Sequence, residues 1–366
     1  MTLKPSRIAA GTSLSLLDSV NWAAWAGVLA LWLACLALSL AGKGTLRAAA
    51  SGTAANLIVV VSLVLSGPAA TRLLEGEAPF ARVSVGAGVW MTFVGAYMVV
   101  FAARQRLGNS PVLRNLISWT GLAVVLVLLL VGWFEDLSIL KEFSGREERF
   151  LQELVHHVYL VGVSVAAGTL IGILLGIWAT RSRRAERPIF LITNITQTIP
   201  SLALFGLLIA PLSALSFAVP ALREAGIRGV GDTPAIIALI IYSLLPIVRN
   251  TYVGITQLDP AVIDAGLGVG MTRWQVFYRI EAPLAAPIVL EGVRTASVQS
   301  VGLAAVAALI GAGGLGWFIF QGLGQAASDL ILLGAIPVVV LALIMDAAMR
   351  SVVRLATPKG LSGGSP

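Results

Sequence analysis

The chain has 366 residues, of which 57% are hydrophobic and only 12% charged, with a mean hydropathy of +0.91. A soluble domain carries roughly 45–50% apolar and about 25% charged residues, so this composition excludes a water-soluble globular protein and places the chain in a bilayer. The net charge of +7 does not point to nucleic acid, because the Lys and Arg residues sit in short connectors between apolar runs, as a topology signal does.

The first apolar run, WAAWAGVLALWLACLALSLA (22–41), follows Lys4 and Arg7. It is about 20 residues long and lacks a clear small-residue cleavage site, so it reads as a retained span and not as a signal peptide. Cys35, the one cysteine in the sequence, lies inside it; no intramolecular disulfide is possible, and the thiol reads as a small apolar side chain. Further stretches of crossing length fall near 48–67, 83–103, 115–134, 156–180, 189–213, 233–255, 285–310 and 328–353. Short connectors and the absence of period-two alternation predict an all-α, polytopic helical bundle of about nine transmembrane helices, not a transmembrane barrel.

Basic residues concentrate in alternate connectors: Lys43 and Arg47; Arg104, Arg106 and Arg114; Arg181, Arg183, Arg184 and Arg187; Arg249, Arg273 and Arg279; and Arg350, Arg354 and Lys359. The positive-inside rule then places the amino terminus outside and the carboxyl terminus in the cytoplasm, with Lys4 and Arg7 as the exceptions. The connector 135–153 holds six acids against Lys141, Arg146 and Arg149. It separates an accessory block of about four spans (1–134) from a core of five spans (153–355), with 135–152 as an extracytoplasmic linker. Residues 356–366, which include KGLSGGSP, read as a disordered tail.

Polar punctuation is concentrated in the second block. TNITQTIPSLALFG places Asn194, Gln197 with Thr198, and Ser201 on one helical stripe interrupted by Pro200, with a second stripe of Thr295, Gln299 and Gly302 on a later span. Interhelical hydrogen bonding accounts for such stripes, as does the lining of a substrate pathway at a broken helix. Glu291 and Arg294, three residues apart inside the eighth span, read as a structural ion pair near a cytoplasmic gate. Asp346 can neutralise Arg350. GAGGLG (311–316) follows a membrane span and lacks the strand context of a dinucleotide fingerprint, so its glycines read as a chain reversal at the outer surface. His156 and His157 point to different helix faces and read as interfacial anchors, not metal ligands.

The segment DPAVIDAGLGVGMTRWQVFYRIEAP (259–283) is marked for two short helices. Asp259 is an N-cap with Pro260 at the first helical position, Gly268 and Gly270 permit the positive φ that ends the first helix, and Thr272 with Gln275 forms a capping box for the second. Met271, Trp274, Phe277 and Tyr278 recur at helical spacing as an apolar face opposite Arg273, Gln275 and Arg279. The residues alone leave three readings open: a helix in the headgroup layer, one packed on its own bundle, or one received by a groove on another protein.

The spacing of Asp264, Ala265, Gly266, Gly270, Ile280 and Pro283 resembles the E-A-A-x-x-x-G…I-x-L-P loop of ABC importer permeases. QTIPSLALFGLL (197–208), IYSLLPIVRNTYVGI (241–255) and GVRTASV…LIGAGGLGWFIFQGL (292–323) resemble the permease subunits of osmoprotectant importers, those for glycine betaine, choline and related compounds. The resemblance covers about residues 150 to 355. It implies a coupling loop over 256–284 received by a cytoplasmic ATPase subunit, with a second permease subunit and an extracytoplasmic solute-binding protein as further partners in a bacterial inner membrane. Asp264 stands where the motif has Glu, Gly266 where it has its second Ala, and Ala282 where it has Leu. No Walker loop, catalytic triad or zinc motif occurs, so the chain reads as a transport subunit without an enzyme activity or cofactor of its own, ATP and Mg²⁺ belonging to the ATPase. An ion-coupled secondary carrier and a non-transporting scaffold are the competing readings; the first lacks the expected chain of intramembrane acids.

Overall fold

A computed structural model describes residues 1–7, 9–40, 44–107 and 110–358; Lys43, Lys359 and the rest of the tail 359–366 lie outside the described residues. Among the described residues sixteen α-helices follow one another: α1 (Leu16–Ser19), α2 (Trp22–Leu40), α3 (Thr45–Leu74), α4 (Ala87–Arg106), α5 (Pro111–Leu130), α6 (Ser138–Ser144), α7 (Glu147–Arg181), α8 (Arg183–Thr198), α9 (Ser201–Ala218), α10 (Pro220–Glu224), α11 (Asp232–Thr256), α12 (Pro260–Gly268), α13 (Arg273–Val276), α14 (Ala282–Val306), α15 (Gly316–Gly324) and α16 (Ser328–Ala356). A π-helical turn, Phe277–Glu281, joins α13 to α14, so that Arg273–Ile310 is one long membrane-crossing stretch. Among the described residues nine helical stretches are long and apolar enough to span a bilayer, as the hydropathy pattern predicts.

Two compact units result. The first comprises Met1–Arg146 together with Gln325–Asp329. Its helices enclose Cys35, Ala55, Ile58, Ala96, Val100 and Ile117. Asn56, buried among them, donates to the carbonyl oxygens of Gly52 and Ile117 at 3.2 and 2.6 Å, which satisfies the N–H groups of an amide that would be costly in hydrocarbon, while its Oδ1 has no hydrogen-bond partner among the described residues. The sequence reading missed a three-stranded sheet in this unit, in the order β2 (Thr12–Ser13), β1 (Thr2–Lys4), β3 (Arg82–Ser84), with both pairings antiparallel. Its strands are two or three residues long, too short to show a period. Ser84 Oγ donates to Asp329 Oδ2 at 2.5 Å and Lys4 Nζ to Ser328 Oγ at 3.0 Å, so the segment Gln325–Asp329 is held by this sheet.

The second unit is Glu147–Gly324 with Leu330–Pro366. Its centre is α7 against α11, and the sequence reason is a run of small residues. Gly168, Gly172 and Gly176 lie four apart on α7, facing Ser243, Ile247 and Thr251 of α11. A Cβ on Gly172 would lie 2.8 Å from Ile247 Cγ2, so only hydrogen at these positions permits the helices to approach this closely. On its other side α11 takes α14 in the same way, Gly292 leaving 2.7 Å between a would-be Cβ and the Pro246 carbonyl oxygen.

Three expectations are corrected. The span expected at 189–213 is two helices: Pro200 has no N–H and holds Ile199 extended at φ −71°, ψ 127°, so the crossing segment is Ser201–Ala218 and α8 stands before it as a separate amphipathic helix. Positive φ near 270 falls on Gly270 alone, while Gly268 is the last residue of α12. His157 is fully buried, its Nε2–H donating to the Val301 carbonyl at 3.0 Å, and is no interfacial anchor. Residues 135–152 contain α6 and the first turns of α7.

Candidate functional site

The polar segment between α11 and α14 is a closed knot of local bonds. Asp259 Oδ1 accepts from the Ala261 N–H at 2.9 Å and starts α12. Its end is a Schellman arrangement: the Gly270 N–H donates to Leu267 O at 3.0 Å and the Met271 N–H to Gly266 O at 3.1 Å, with Gly270 at φ +87°. The capping box then restarts the chain, the Thr272 N–H donating to Gln275 Oε1 at 2.8 Å and the Gln275 N–H to Thr272 Oγ1 at 3.4 Å.

The altered residue of the motif has a steric cause. Gly266 is buried, and a Cβ there would lie 2.6 Å from Ile280 Cδ1, with Val276 Cγ2 and Met271 Sδ at 3.4 and 3.5 Å. Ile280 thus fills the space of the missing methyl and closes the two halves of the loop on each other. Asp264 and Ala265 lie on the exposed side of α12, and Pro283 is exposed in the first turn of α14.

The aromatic residues are not all inside. Trp274 is 70% exposed and Tyr278 65%, their rings stacked at 5.9 Å and 17°. Phe277 meets both edge-on, at 6.4 and 5.1 Å. Val269 and Leu267 extend the apolar surface. Behind it lies a cleft of about 490 Å³ between Ile177 and Arg181 of α7, Ile263 and Leu267 of α12, and Arg273 and Phe277. A pair absent from the sequence reading anchors this arrangement: Arg181, at the end of α7, forms an ion pair with the buried Glu281 of the π turn, and its guanidinium lies 5.8 Å over the Phe277 ring. A carboxylate beside Pro283 at the foot of an apolar helix was the available signal, but its partner is 100 residues away.

The other predicted residues lie elsewhere in the unit. Asn194 and Thr198 are exposed on α8, and Ser201 starts α9 beyond Pro200, so the expected stripe is divided at the break. Gln197 is engaged, its Nε2 donating to the Tyr242 carbonyl at 2.6 Å, while the Tyr242 hydroxyl donates to Ile199 O. Tyr242, which the sequence reading passed over, therefore satisfies the backbone that Pro200 opens. On α14, Thr295 is exposed with its hydroxyl donating to Glu291 O at 2.9 Å, and Gln299 is half-buried one turn on. Among the described residues no hydrogen bond joins the two stripes. Glu291 and Arg294 do pair, at 2.9 Å, and the pair is part of a longer chain: Arg294 Nε reaches Asp346 Oδ1 at 2.6 Å, and Asp346 also holds Arg350.

At the opposite end of α7, the glycine cluster reverses the chain with positive φ at Gly311, Gly313 and Gly314. The buried Glu153 carboxylate accepts from the Gly314 N–H at 2.6 Å and from Arg149 at 2.6 Å. This is a structural anchor, and the dinucleotide reading has no strand to support it.

Residues 168–357, just over half of the chain, match the family described as binding-protein-dependent transport system inner membrane component. The chain belongs to this family. It is accordingly a multi-pass inner membrane component of an ABC-type transport system. Residues 1–140 match the N-terminal domain of the ABC transporter permease YehY. The chain is similar to the glycine betaine/carnitine/choline transport system permease protein OpuCB of Bacillus subtilis (strain 168), at 40% identity over 57% of this chain and 88% of that protein. It is also similar to the osmoprotectant import permease protein OsmW of Salmonella typhimurium (strain LT2), at 37% over 56% and 90%, and to the choline transport system permease protein OpuBB of Bacillus subtilis, at 38% over 58% and 90%. Among solved structures, the inward-facing MetNI methionine ABC transporter aligns with a TM-score of 0.49 and 22% identity, over 57% of this chain and 96% of that chain.

Proposed function

We propose that this family member is the permease subunit of an ATP-driven importer for glycine betaine, choline or related compatible solutes. The observation that carries the coupling role is the loop 256–284, whose backbone is closed by its own caps while the Trp274–Tyr278 stack stays uncovered. A locally rigid element with an exposed aromatic face is what a protein groove receives. Its ligand is the cleft of a cytoplasmic ATPase subunit, contacted by Asp264, Ala265, Gly270, Met271, Thr272, Trp274 and Phe277, with Gly266, Ile280 and Pro283 holding the loop's shape. The substrate class rests on the names of the relatives.

In this reading ATP and Mg²⁺ reside on the ATPase, whose closure pulls the loop and exchanges inward-facing and outward-facing states of the core at 153–355. Asn194, Thr198, Pro200, Ser201, Thr295 and Gln299 line the pathway, with Gln197 fixing the helix break, and the Glu291–Arg294 pair sits near the cytoplasmic gate. A second permease subunit and an extracytoplasmic solute-binding protein complete the importer. The binding protein supplies most of the selectivity, since an aromatic cage there can hold a quaternary ammonium. Uptake of labelled glycine betaine into vesicles carrying this chain, the ATPase and the binding protein tests the reading. Accumulation that requires all three and ATP supports it; flux that persists without ATP and collapses with the ion gradient overturns it.

A further inference from the structure

Two prolines interrupt neighbouring helices of the second unit at the same level. Pro200 separates α8 from α9, and Pro246 stands inside α11. The packing divides there too. α8 lies along the part of α11 that follows Pro246: Ala185 and Ile189 share a buried cluster with Val248, the Phe190 ring meets Tyr252 edge-on at 5.2 Å, and the Tyr252 hydroxyl donates to Glu186 Oε1 at 2.9 Å. α9 lies along the part that precedes Pro246, Leu204 and Phe205 sharing the core cluster of Leu239 and Tyr242.

Each break strands a carbonyl, and the other helix supplies its donor. A helical carbonyl takes the N–H four residues on, so Pro246, which has none, leaves the Tyr242 carbonyl without its helical donor. Gln197 Nε2 donates to that oxygen at 2.6 Å. Ile199, extended ahead of Pro200, turns its own carbonyl out of the ladder, and the buried Tyr242 hydroxyl donates to it. The exchange is reciprocal: α8 caps the break in α11, and α11 caps the break between α8 and α9. Two bonds at one level tie the breaks together, so a bend at either displaces the other. Beyond Pro246, α11 runs on to Thr256, where the loop 256–284 begins, and on its other side Gly292 of α14 rests against the Pro246 carbonyl oxygen.

We propose that Gln197 and Tyr242 are positioning residues that make Pro200 and Pro246 one shared hinge, through which a pull on the loop 256–284 passes from α11 to α9. The inference rests on the importer reading above and deepens it: the loop receives the motion, and the paired prolines hand it to the helices beside the pathway. Neither residue has to touch the solute. Both bonds are made to backbone oxygens, so their loss leaves a buried acceptor unpaired and the two breaks free to bend separately.

The test counts ATP hydrolysed per glycine betaine imported by proteoliposomes that hold the full chain with the ATPase and the binding protein. Tyr242→Phe removes one hydroxyl and should raise that ratio roughly fivefold or more, the order of effect expected when a buried acceptor loses its donor. Tyr252→Phe is the matched control: it removes a hydroxyl between the same two helices, away from both prolines, and should leave the ratio near the parent value. Gln197→Leu should raise the ratio and lower the thermal midpoint. Adding Pro246→Ala, which returns a helical donor to the Tyr242 carbonyl, should recover the midpoint and leave the ratio high. A ratio that recovers together with the midpoint would reduce Gln197 to a cap and overturn the proposal, as would equal ratios in Tyr242→Phe and Tyr252→Phe. Spin labels on Ile192→Cys and Leu207→Cys, both at exposed positions while Cys35 is buried, report the hinge without transport. Their distance distribution should broaden in Tyr242→Phe and not in Tyr252→Phe. A parent chain that accumulates no glycine betaine counts against the importer reading, and the labels then still decide the hinge: an unchanged distribution in Tyr242→Phe overturns it.

Discussion

At Gly270 and Gly266 the loop depends on a missing side chain for two different reasons. Gly270 has open space around a would-be Cβ but a φ of +87°, so its requirement is conformational. Asn enters this region far more readily than a β-branched residue. Gly270→Asn should therefore keep most ATP-dependent uptake and Gly270→Val should lose it, with equal amounts of protein in the membrane by immunoblot. Gly266 has the reverse problem, an ordinary backbone with Ile280 Cδ1 in the way. Adding a methyl overpacks the joint at a cost of about 1–3 kcal/mol. Gly266→Ala should impair uptake, and Gly266→Ala/Ile280→Val, which removes the obstructing carbon, should restore much of it. An equal defect in the single and the double variant would remove Ile280 from this explanation. The caps at Asp259, Thr272 and Gln275 were legible in the sequence because both partners of each bond lie within three residues. Glu281 with Arg181 and Gln197 with Tyr242 were not, since an ion pair or side-chain bond across 100 or 45 residues leaves no local pattern.

Among the elements, α7 shows how glycine spacing sets helix approach. Gly172 sits against Ile247, whereas Gly162 on the same helix has nothing within 4 Å of a would-be Cβ. Gly172→Leu should lower the thermal midpoint of the detergent-solubilised protein by several degrees and broaden its size-exclusion profile, while Gly162→Leu should leave both near the parent values. Similar behaviour of the two variants would argue against close packing as the role of the 168–176 run. Hydropathy placed eight of the nine crossings well because each is a continuous apolar run of sufficient length. It misplaced the sixth because apolarity continues through Pro200 while the helix does not, and a sliding pattern registers composition without registering the lost N–H. The sheet of the first unit escaped for the opposite reason: three strands of at most three residues are defined by register between distant segments, not by any period of their own.

For the whole molecule, we propose from the distribution of arginines that the nine candidate crossings among the described residues leave the amino terminus outside and the carboxyl terminus in the cytoplasm. Reporters that are active on only one side should therefore disagree when fused at residue 2 and after residue 358: alkaline phosphatase active at the first position, a fluorescent protein bright at the second. Matching signals at the two ends would show an even number of crossings. The stretch 135–153, in which six acids outnumber three basic residues, should behave as external in the same assay.

The hold of β3 and β1 on Ser328 and Asp329 also sets an order of events during synthesis. The first unit is written mostly in residues 1–146, yet its buried Asp329 carboxylate and the Lys4 contact come from a segment near the far end of the chain. A ribosome releases the early spans long before it supplies that segment. The accessory unit therefore cannot be finished until almost all of the permease core has been made, and a chain cut before Gln325 ends its life with Ser84 still waiting for its acceptor.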